Sequence, residues 1–421
     1  MFGLYTRCSD MKIAYIVSVF PSLSETFILN EILELKRRGF DINVFSIGKP
    51  KDSVCHPEAA SLMQSVHYLE EEFGIGKNLK RVFLYAYFLL VSPIGFIRAL
   101  DFAVRYRSKG LRKGAFWARR FRLMGIEHIH AHFADLPTEV ALPVSLLSGL
   151  PYTFTVHARD LFSGPKAMAT KLRNARAVIT HCAYNKRYLL ENWPVIPAES
   201  IAEIHCSIEP GQFSRSREYM NTGMNMLAVG RLVEKKGLHY LIEACAKLKE
   251  RGLTFTCSIV GSGPEEGALK NMVEEKGLAG SVFLLGPKSR VEIKELLEKT
   301  TVFVLPCIEA ADGDRDSLPT VIKEAMAMEV PVITTMNESI GELVRDGAGV
   351  LVAPRDVDGL AEAIVSLSAM DENDLKRMGK EGRAIIERSF TIQSQSDKLI
   401  HFFEGSTMKS VSHMDISDQT M

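Results

Sequence analysis

The stretch VFVLPCIEAADGDRDSLPTVIKEAMAMEVPVITT, residues 302–335, holds two short apolar runs separated by an acidic loop and a helix-like segment. Strand, loop, helix and strand in that order form a crossover unit, which places its two strands parallel. Pro319 falls in the first helical turn, where its missing N–H costs nothing. Asp316 then lies just ahead of the helix and Glu324 about a turn inside it, both near the carboxyl end of the first strand. Two acids at this spacing fit three chemistries: a glycosidase pair, a cation site built on the D-x-D repeats of Asp312, Asp314 and Asp316, or a grip on sugar hydroxyls. A plainer alternative has Asp316 or Ser317 capping the helix and Glu324 on a solvated face.

The same rhythm extends along the chain. The runs KIAYIVSVF, DINVFSI, HIHAHF, YTFTV and AVITHC form one strand series; MNMLAVG, FTCSIV and VFLLG join the opening pair in a second. Between them lie amphipathic patterns such as SETFILNEILELKRRG, GLHYLIEACAKLKERG and RVEIKELLEKT. Continuous apolar strands alternating with helices predict α/β architecture with parallel sheets covered on both faces. A chain of 421 residues exceeds one ordinary core, and the polar stretch at 208–223 is read as the linker between two doubly wound domains. Ligands of such sheets bind outside the carboxyl ends of the strands, here in an interdomain cleft. Residues 1–10 are read as a dispensable leader before Met11, and 406–421 as a disordered tail.

Formal net charge is zero, and the seven cysteines are scattered without a C-x-x-C pair, which fits a reducing compartment. Charge is uneven, however. Between Lys77 and Arg122 there are twelve basic residues and one acid, Asp101, giving net +11, with aromatic residues such as Phe83, Tyr87, Phe88, Trp117 and Phe121 interleaved. Mixed apolar and cationic groups predict an element lying on an anionic membrane surface, with a partner-protein interface or a nucleic-acid patch as the alternatives. The run VFLYAYFLLVSPIGFI is too short, and too interrupted at Ser92 and Pro93, to span a bilayer.

Several loops carry candidate chemistry. AVGRLVEKKG brings Arg231 and Lys236 to a strand-to-helix loop, where a guanidinium fork and an ammonium suit a diphosphate. VGSGPEE holds Gly261 and Gly263 but no third glycine, so a nicotinamide cofactor is not expected. YTFTVHARDLF sets His157 and Asp160 directly after a strand. HIHAHF places His128, His130 and His132 on one strand face at metal-like spacing, with no carboxylate nearby in sequence to complete a site. In PSLSETF, Ser22 and Glu25 read as a capping box opening a helix whose first residues include Thr26.

Taken in chain order, FPSLSETFILNEI, HAHFADLPTEVA, YTFTVHARDLF, VGRLVEKKGL, VGSGPEE and DGDRDSLPTVIKEAMAMEVPVI resemble bacterial glycosyltransferases of family 4. The resemblance runs from about Lys12 to Phe403. It implies the GT-B fold, two Rossmann-like domains facing a cleft: residues 11–210 for the acceptor, 211–388 for the nucleotide sugar, and a helix at 389–405 crossing back. Arg231 and Lys236 would then bind the donor diphosphate, and Glu324 the ribose hydroxyls. Asp316, one methylene shorter than the family's glutamate, would lie by the donor sugar, with Ser317 and Leu318 beside it. His157 would contact the transferred sugar and assist at the reaction centre as a catalytic residue together with Asp316, supported by Asp160. Gly261 and Gly263 would let backbone approach the donor, and His132, Glu25 and Thr26 would serve the acceptor side.

The resemblance thus implies a retaining transferase moving a hexose from a UDP- or GDP-sugar to a lipid-linked saccharide in cell-surface polysaccharide synthesis. It implies no metal or other cofactor, and a place on the cytoplasmic face of the membrane through residues 77–122. An epimerase, a soluble disaccharide synthase and an inactive membrane scaffold are the competing readings. The chain departs from the family at PSLSET, where many members carry Gly-Gly, and at HCSIE (His205 to Glu209).

Overall fold

The computed structural model describes residues 11–22, 25–50, 57–69, 77–164, 166–216, 218–219, 223–337 and 339–404. The expectations for 1–10 and 406–421 lie outside them. The first half begins with β1 (Lys12–Val19), α1 (Thr26–Arg37), β2 (Asp41–Gly48), β3 (Val66–Tyr68) and three successive helices, α2 (Lys77–Val91), α3 (Pro93–Arg105) and α4 (Gly110–Met124). Next come β4 (His128–His132), α5 (Leu136–Ser148), β5 (Tyr152–Thr155), α6 (Ala158–Phe162), α7 (Met168–Asn174), β6 (Ala177–Thr180), α8 (Ala183–Asn192) and β7 (Ile201–Glu203). All pairs in this sheet are parallel, in the order β3-β2-β1-β4-β5-β6-β7.

The second half comprises β8 (Met224–Val229), α9 (Leu238–Glu250), β9 (Phe255–Val260), α10 (Glu266–Glu275), β10 (Val282–Leu284) and α11 (Arg290–Glu298). It continues with β11 (Val302–Leu305), α12 (Thr320–Ala327), β12 (Val332–Thr335), β13 (Gly349–Val352), α13 (Val357–Ser368) and α14 (Glu372–Ser389). Its sheet order is β10-β9-β8-β11-β12-β13. The strand order of each sheet reverses once, between β1 and β4 and between β8 and β11, leaving a crevice at both switch points.

Hydrophobic burial explains the layering. Val302 to Leu305 are wholly buried, as are Ile13 to Val17, because helices cover both faces. Beneath α4, Phe45 meets Trp117 and Phe121 edge-on at 5.4 and 4.5 Å. At Gly110 a Cβ would come within 1.7 Å of the Glu139 carbonyl oxygen, so α4 reaches α5 only through glycine.

Four local expectations need correction. α1 starts at Thr26 with Glu25 at its N-cap and no side-chain cap bond, so the Ser22–Glu25 capping box does not form. Pro319 is the N-cap of α12, one step earlier than expected, so neither Asp316 nor Ser317 caps it. The linker stretch is partly core: Phe213 and Tyr219 are buried against the second sheet. Of the aromatic residues within 77–122, Phe88, Phe102, Trp117 and Phe121 are buried in the first core, and the segment is three helices rather than one surface element.

The chain passes between the domains twice, and the passages lie side by side, with Ile208 bridged to Thr391. The last helix, α15 (Ile392–Glu404), packs on α1 of the first domain. Leu399 and Phe403 enter that core, and Phe403 sits 5.0 and 5.4 Å from the rings of His128 and His130. Removing a fully buried phenylalanine costs about 3–5 kcal/mol. Phe403→Ala should therefore lower the stability of the first domain by that order in urea unfolding; an unchanged midpoint would show that α15 does not hold the domain.

Candidate functional site

Three loops converge at the switch point of the second sheet. The loop after β8 carries Gly230, exposed Arg231 and a 3-10 turn at Glu234–Lys236. The loop after β11 is the acidic stretch, and the loop after β9 is Gly261–Gly263. Backbone contacts lock them together: Gly230 N–H donates to Val260 O (3.0 Å), Leu232 N–H to Ser262 O (2.9 Å), and Ile308 N–H to Lys235 O (2.9 Å). A Cβ on Gly261 would sit 1.9 Å from Gly230 O, and one on Gly263 would sit 2.3 Å from Leu232 O. These glycines therefore serve the close approach of one loop to another; the side that a Cβ would occupy faces protein backbone, not a donor.

The acidic loop meets both lysines of the basic one. Lys236 Nζ lies 2.6 Å from Asp316 Oδ2, and Lys235 Nζ lies 3.0 Å from Asp314 Oδ2 and 3.3 Å from Asp316 Oδ1. Burial pushes the Asp316 carboxyl up, but the ammonium groups of Lys236 and Lys235 outweigh it and hold it down to about 2. Burial likewise depresses Lys236, and Asp316 and Cys307 more than restore it. Two carboxylates of the D-x-D repeats, Asp314 and Asp316, thus already face lysines, and a divalent cation there would have to displace Lys235.

Glu324 stands apart, half-buried on α12. Loss of solvent pushes it up to about 7 despite Arg290 and Lys323. It is not the solvated face residue of the plainer alternative. Ser317 and Leu318 do not present side chains to a ligand. Ser317 exchanges hydrogen bonds with Asn185 of α8 (3.2 Å), and Leu318 is buried in the second core. Asn185 belongs to the first domain, so this contact crosses the cleft. Glu342 also crosses it, accepting from Ala183 N–H and Tyr184 N–H (both 3.0 Å) at the start of α8, while Arg315 lies 4.2 Å over the Phe162 ring.

His157 lies on the first-domain side, at the N-cap of α6. Asp160 accepts from the His157 main-chain N–H (2.7 Å) and from Ala134 N–H, so it supports the backbone rather than the imidazole. The ring is buried between two other histidines. Its Nδ1 is 3.0 Å from His181 Nε2, and its Nε2 is 3.4 Å from His132 Nδ1. His181 Nδ1 faces the Ile204 carbonyl (3.0 Å), and His132 Nε2 faces Glu31 Oε1 (3.0 Å). The carbonyl can only accept, so His181 donates to it from Nδ1 and accepts at Nε2 from His157. His157 in turn accepts from His132. Both His157 nitrogens are therefore engaged inside the protein, not directed at a sugar as expected.

Glu31 also supplies the carboxylate that sequence did not place beside the HIHAHF histidines. His128 and His130 instead share the Thr153 hydroxyl, each at 2.8 Å. Among the described residues, Glu31 with His130 and His132, and His157 with His181 and Cys206, have donor atoms close enough to hold an ion. Glu25 lines a separate cavity of about 610 Å³ with Asp135, Glu139, Arg159, Asp160 and Lys166. Burial raises Glu25, Asp135 and Asp160, the last to about 7. Thr26 sits at the adjacent start of α1 and does not line it.

Glu324 gives a test of these electrostatics. Its folded pKa lies above the ordinary 4.5, so its charge opposes folding increasingly as pH rises from 4.5 through about 7. Glu324→Gln should stabilise the protein at pH 8 by on the order of 2 kcal/mol, allowing for partial solvent screening, and by nothing measurable at pH 4. Equal effects at both pH values in urea unfolding would contradict the buried-carboxyl assignment.

Residues 24–212 match the family described as Glycosyltransferase Family 4, and 218–385 match Glycosyl transferases group 1. The chain is 28% identical to the amylovoran biosynthesis glycosyltransferase AmsK of Erwinia amylovora, over 90% of this chain and 96% of AmsK. It is 27% identical to WcaL of Escherichia coli strain K12, a glycosyltransferase named for colanic acid biosynthesis, over 91% and 97%. Among solved structures, a glycosyltransferase from Rickettsia africae superposes with TM-score 0.71 at 15% identity, covering 94% of this chain and 98% of that one. HepE of Anabaena in complex with UDP superposes with 0.68 at 18% identity, covering 94% and 100%. With two Rossmann-like sheets, a cleft between them and a family match in each half, the chain belongs to the family 4 and group 1 glycosyltransferases and has the GT-B fold.

Proposed function

We propose that this enzyme transfers a hexose, with retention of configuration, from a nucleoside-diphosphate sugar to a lipid-linked saccharide in exopolysaccharide synthesis on the cytoplasmic face of the membrane. The observation that carries the donor half is the placing of Arg231 and Lys236 at the second switch point, beside loops pinned by backbone contacts. Departure of a diphosphate develops negative charge, and preorganised cations at that point stabilise it without reorganising. The neighbouring lysines suit a phosphate leaving group, where a glycosidase would need one acid protonated beside a scissile bond. The leaving phosphate oxygen then takes the acceptor's proton, which requires no separate base. Glu324 would accept from the ribose hydroxyls. HepE in complex with UDP-glucose and the polysaccharide-synthesis names of WcaL and AmsK support this reading.

The membrane half rests on α2 and α3. Leu79, Val82, Phe83, Leu90, Ile94, Ile97 and Val104 are each at least 60% exposed, an apolar face that water does not favour. Lys80, Arg98, Arg105 and Arg112 are exposed on these helices or on neighbouring α4. Arg120 is turned inward onto His67 and takes no part. No helix among the described residues is long and apolar enough to cross a bilayer. A face of this kind rests on an anionic surface by combining apolar burial with about 1 kcal/mol per cation.

Melting in EDTA with UDP, GDP, ADP and CMP tests the donor half. One nucleotide at about 100 times its Kd should add roughly 2.7 kcal/mol to the state that binds it, and Lys236→Met should remove that shift. No shift with any nucleotide would overturn the donor assignment. For the membrane half, Leu90→Glu with Ile94→Glu should abolish co-sedimentation with phosphatidylglycerol vesicles; retained binding would refute that surface.

A further inference from the structure

Lys236 faces two demands. In this structure it neutralises Asp316, whose side chain is only 15% exposed, yet on the reading above it must also hold the donor diphosphate. A phosphate that drew Lys236 away would leave a buried carboxylate without a counter-charge, which burial penalises strongly. Lys235 sits where it can prevent this. Its side chain is 11% exposed and reaches Asp316 from the other carboxylate oxygen. Arg231, by contrast, is exposed at the mouth of the loop. The other groups around Asp316 are Asp314, which shares Lys235, and Cys307, whose thiol donates to Asp316 Oδ2 over 3.6 Å; Asn337 and Ser339 bind its main-chain carbonyl.

We infer that Lys235 is a positioning residue for donor binding: it keeps Asp316 ionised and in place when Lys236 turns to the diphosphate, while Asp314 shares its charge and limits how tightly the pocket holds an anion. This role rests on the donor reading above, and no sequence motif singled out Lys235. The pair Asp314 and Lys235 works through Asp316 and Lys236 and touches no substrate itself.

Two substitutions predict opposite effects. Asp314→Asn removes one negative charge and leaves Lys235 wholly to Asp316. The loop tether from Ala310 N–H goes to the Asp314 main-chain oxygen and survives the change. UDP, GDP or ADP, whichever binds the wild-type chain, should bind Asp314→Asn about tenfold more tightly, as expected for one unit charge removed at short range. In Lys235→Met, releasing Lys236 forces Asp316 to take up a proton. Calorimetry in buffers of different ionisation heat should show about one more proton taken up on nucleotide binding at pH 6 by Lys235→Met than by the wild type, with the wild-type balance restored in Lys235→Arg. If the two residues merely tie the loops together, both variants will melt earlier and bind more weakly, with the proton balance of the wild type; that result overturns the inference and leaves the donor pocket standing. A wild-type chain that binds no nucleoside diphosphate overturns the donor reading and this inference with it. If Lys235→Met does not fold, Asp314→Asn alone decides, because tighter and weaker binding point in opposite directions.

Discussion

Every strand pair in both sheets is parallel, and most of this architecture follows from that constraint. Parallel neighbours cannot be joined by tight turns, so each connection must cross a face of the sheet, and the crossing helices bury it. Polar chemistry is thereby excluded from most of the strands and concentrated at their carboxyl ends. Arg231, Lys236, Asp316 and His157 all lie in or beside such ends, although they come from three separate parts of the chain. The histidines of β4 are the exception. They are polar groups inside a buried strand, held by hydrogen bonds to Thr153, Glu31 and His157.

The electrostatics of the cleft divide into two regimes. Around Asp316, two lysines outweigh the burial of a carboxylate and keep it ionised. At Glu324 and Asp160, burial wins and leaves the acid poised near neutrality. The difference is one of partners: Asp316 has two ammonium groups within 3.3 Å, whereas Asp160 has main-chain N–H groups. Carboxyls held away from their ordinary range at a ligand-facing cleft are a common mark of functional sites.

The strand series was legible because wholly buried parallel strands are nearly continuous apolar runs, and the switch-point loops were legible because glycine, lysine and arginine cluster there. The edge strands β3, β7 and β13 were not, since VHY and IAE are short and partly polar and GVLV follows directly on the glycine-containing turn DGA. Asn185, Glu342 and Glu31 were missed for another reason. Each reaches the site through a partner more than a hundred residues away, as Glu31 does with His132, and no local spacing encodes that. At the glycines the sequence shows that room is needed and not what fills it; a Cβ at Gly261 or Gly263 would meet backbone of the loop after β8. Leu318 was drawn into the site by adjacency to Asp316, whereas its apolar side chain follows the core.

The paired passages at Ile208 and Thr391 have a mechanical consequence. Two chain segments bridged side by side act as a hinge: they resist separation of the domains while allowing rotation about themselves. Since α15 is fastened to α1, the final residues travel with the first domain. Opening the cleft would then lever Glu342 off the first turn of α8 and part Ser317 from Asn185, exposing helix N–H groups that closure satisfies. Those groups make the closed arrangement self-capping, so the acidic loop that holds Asp316 also carries a contact that registers whether the two domains have met.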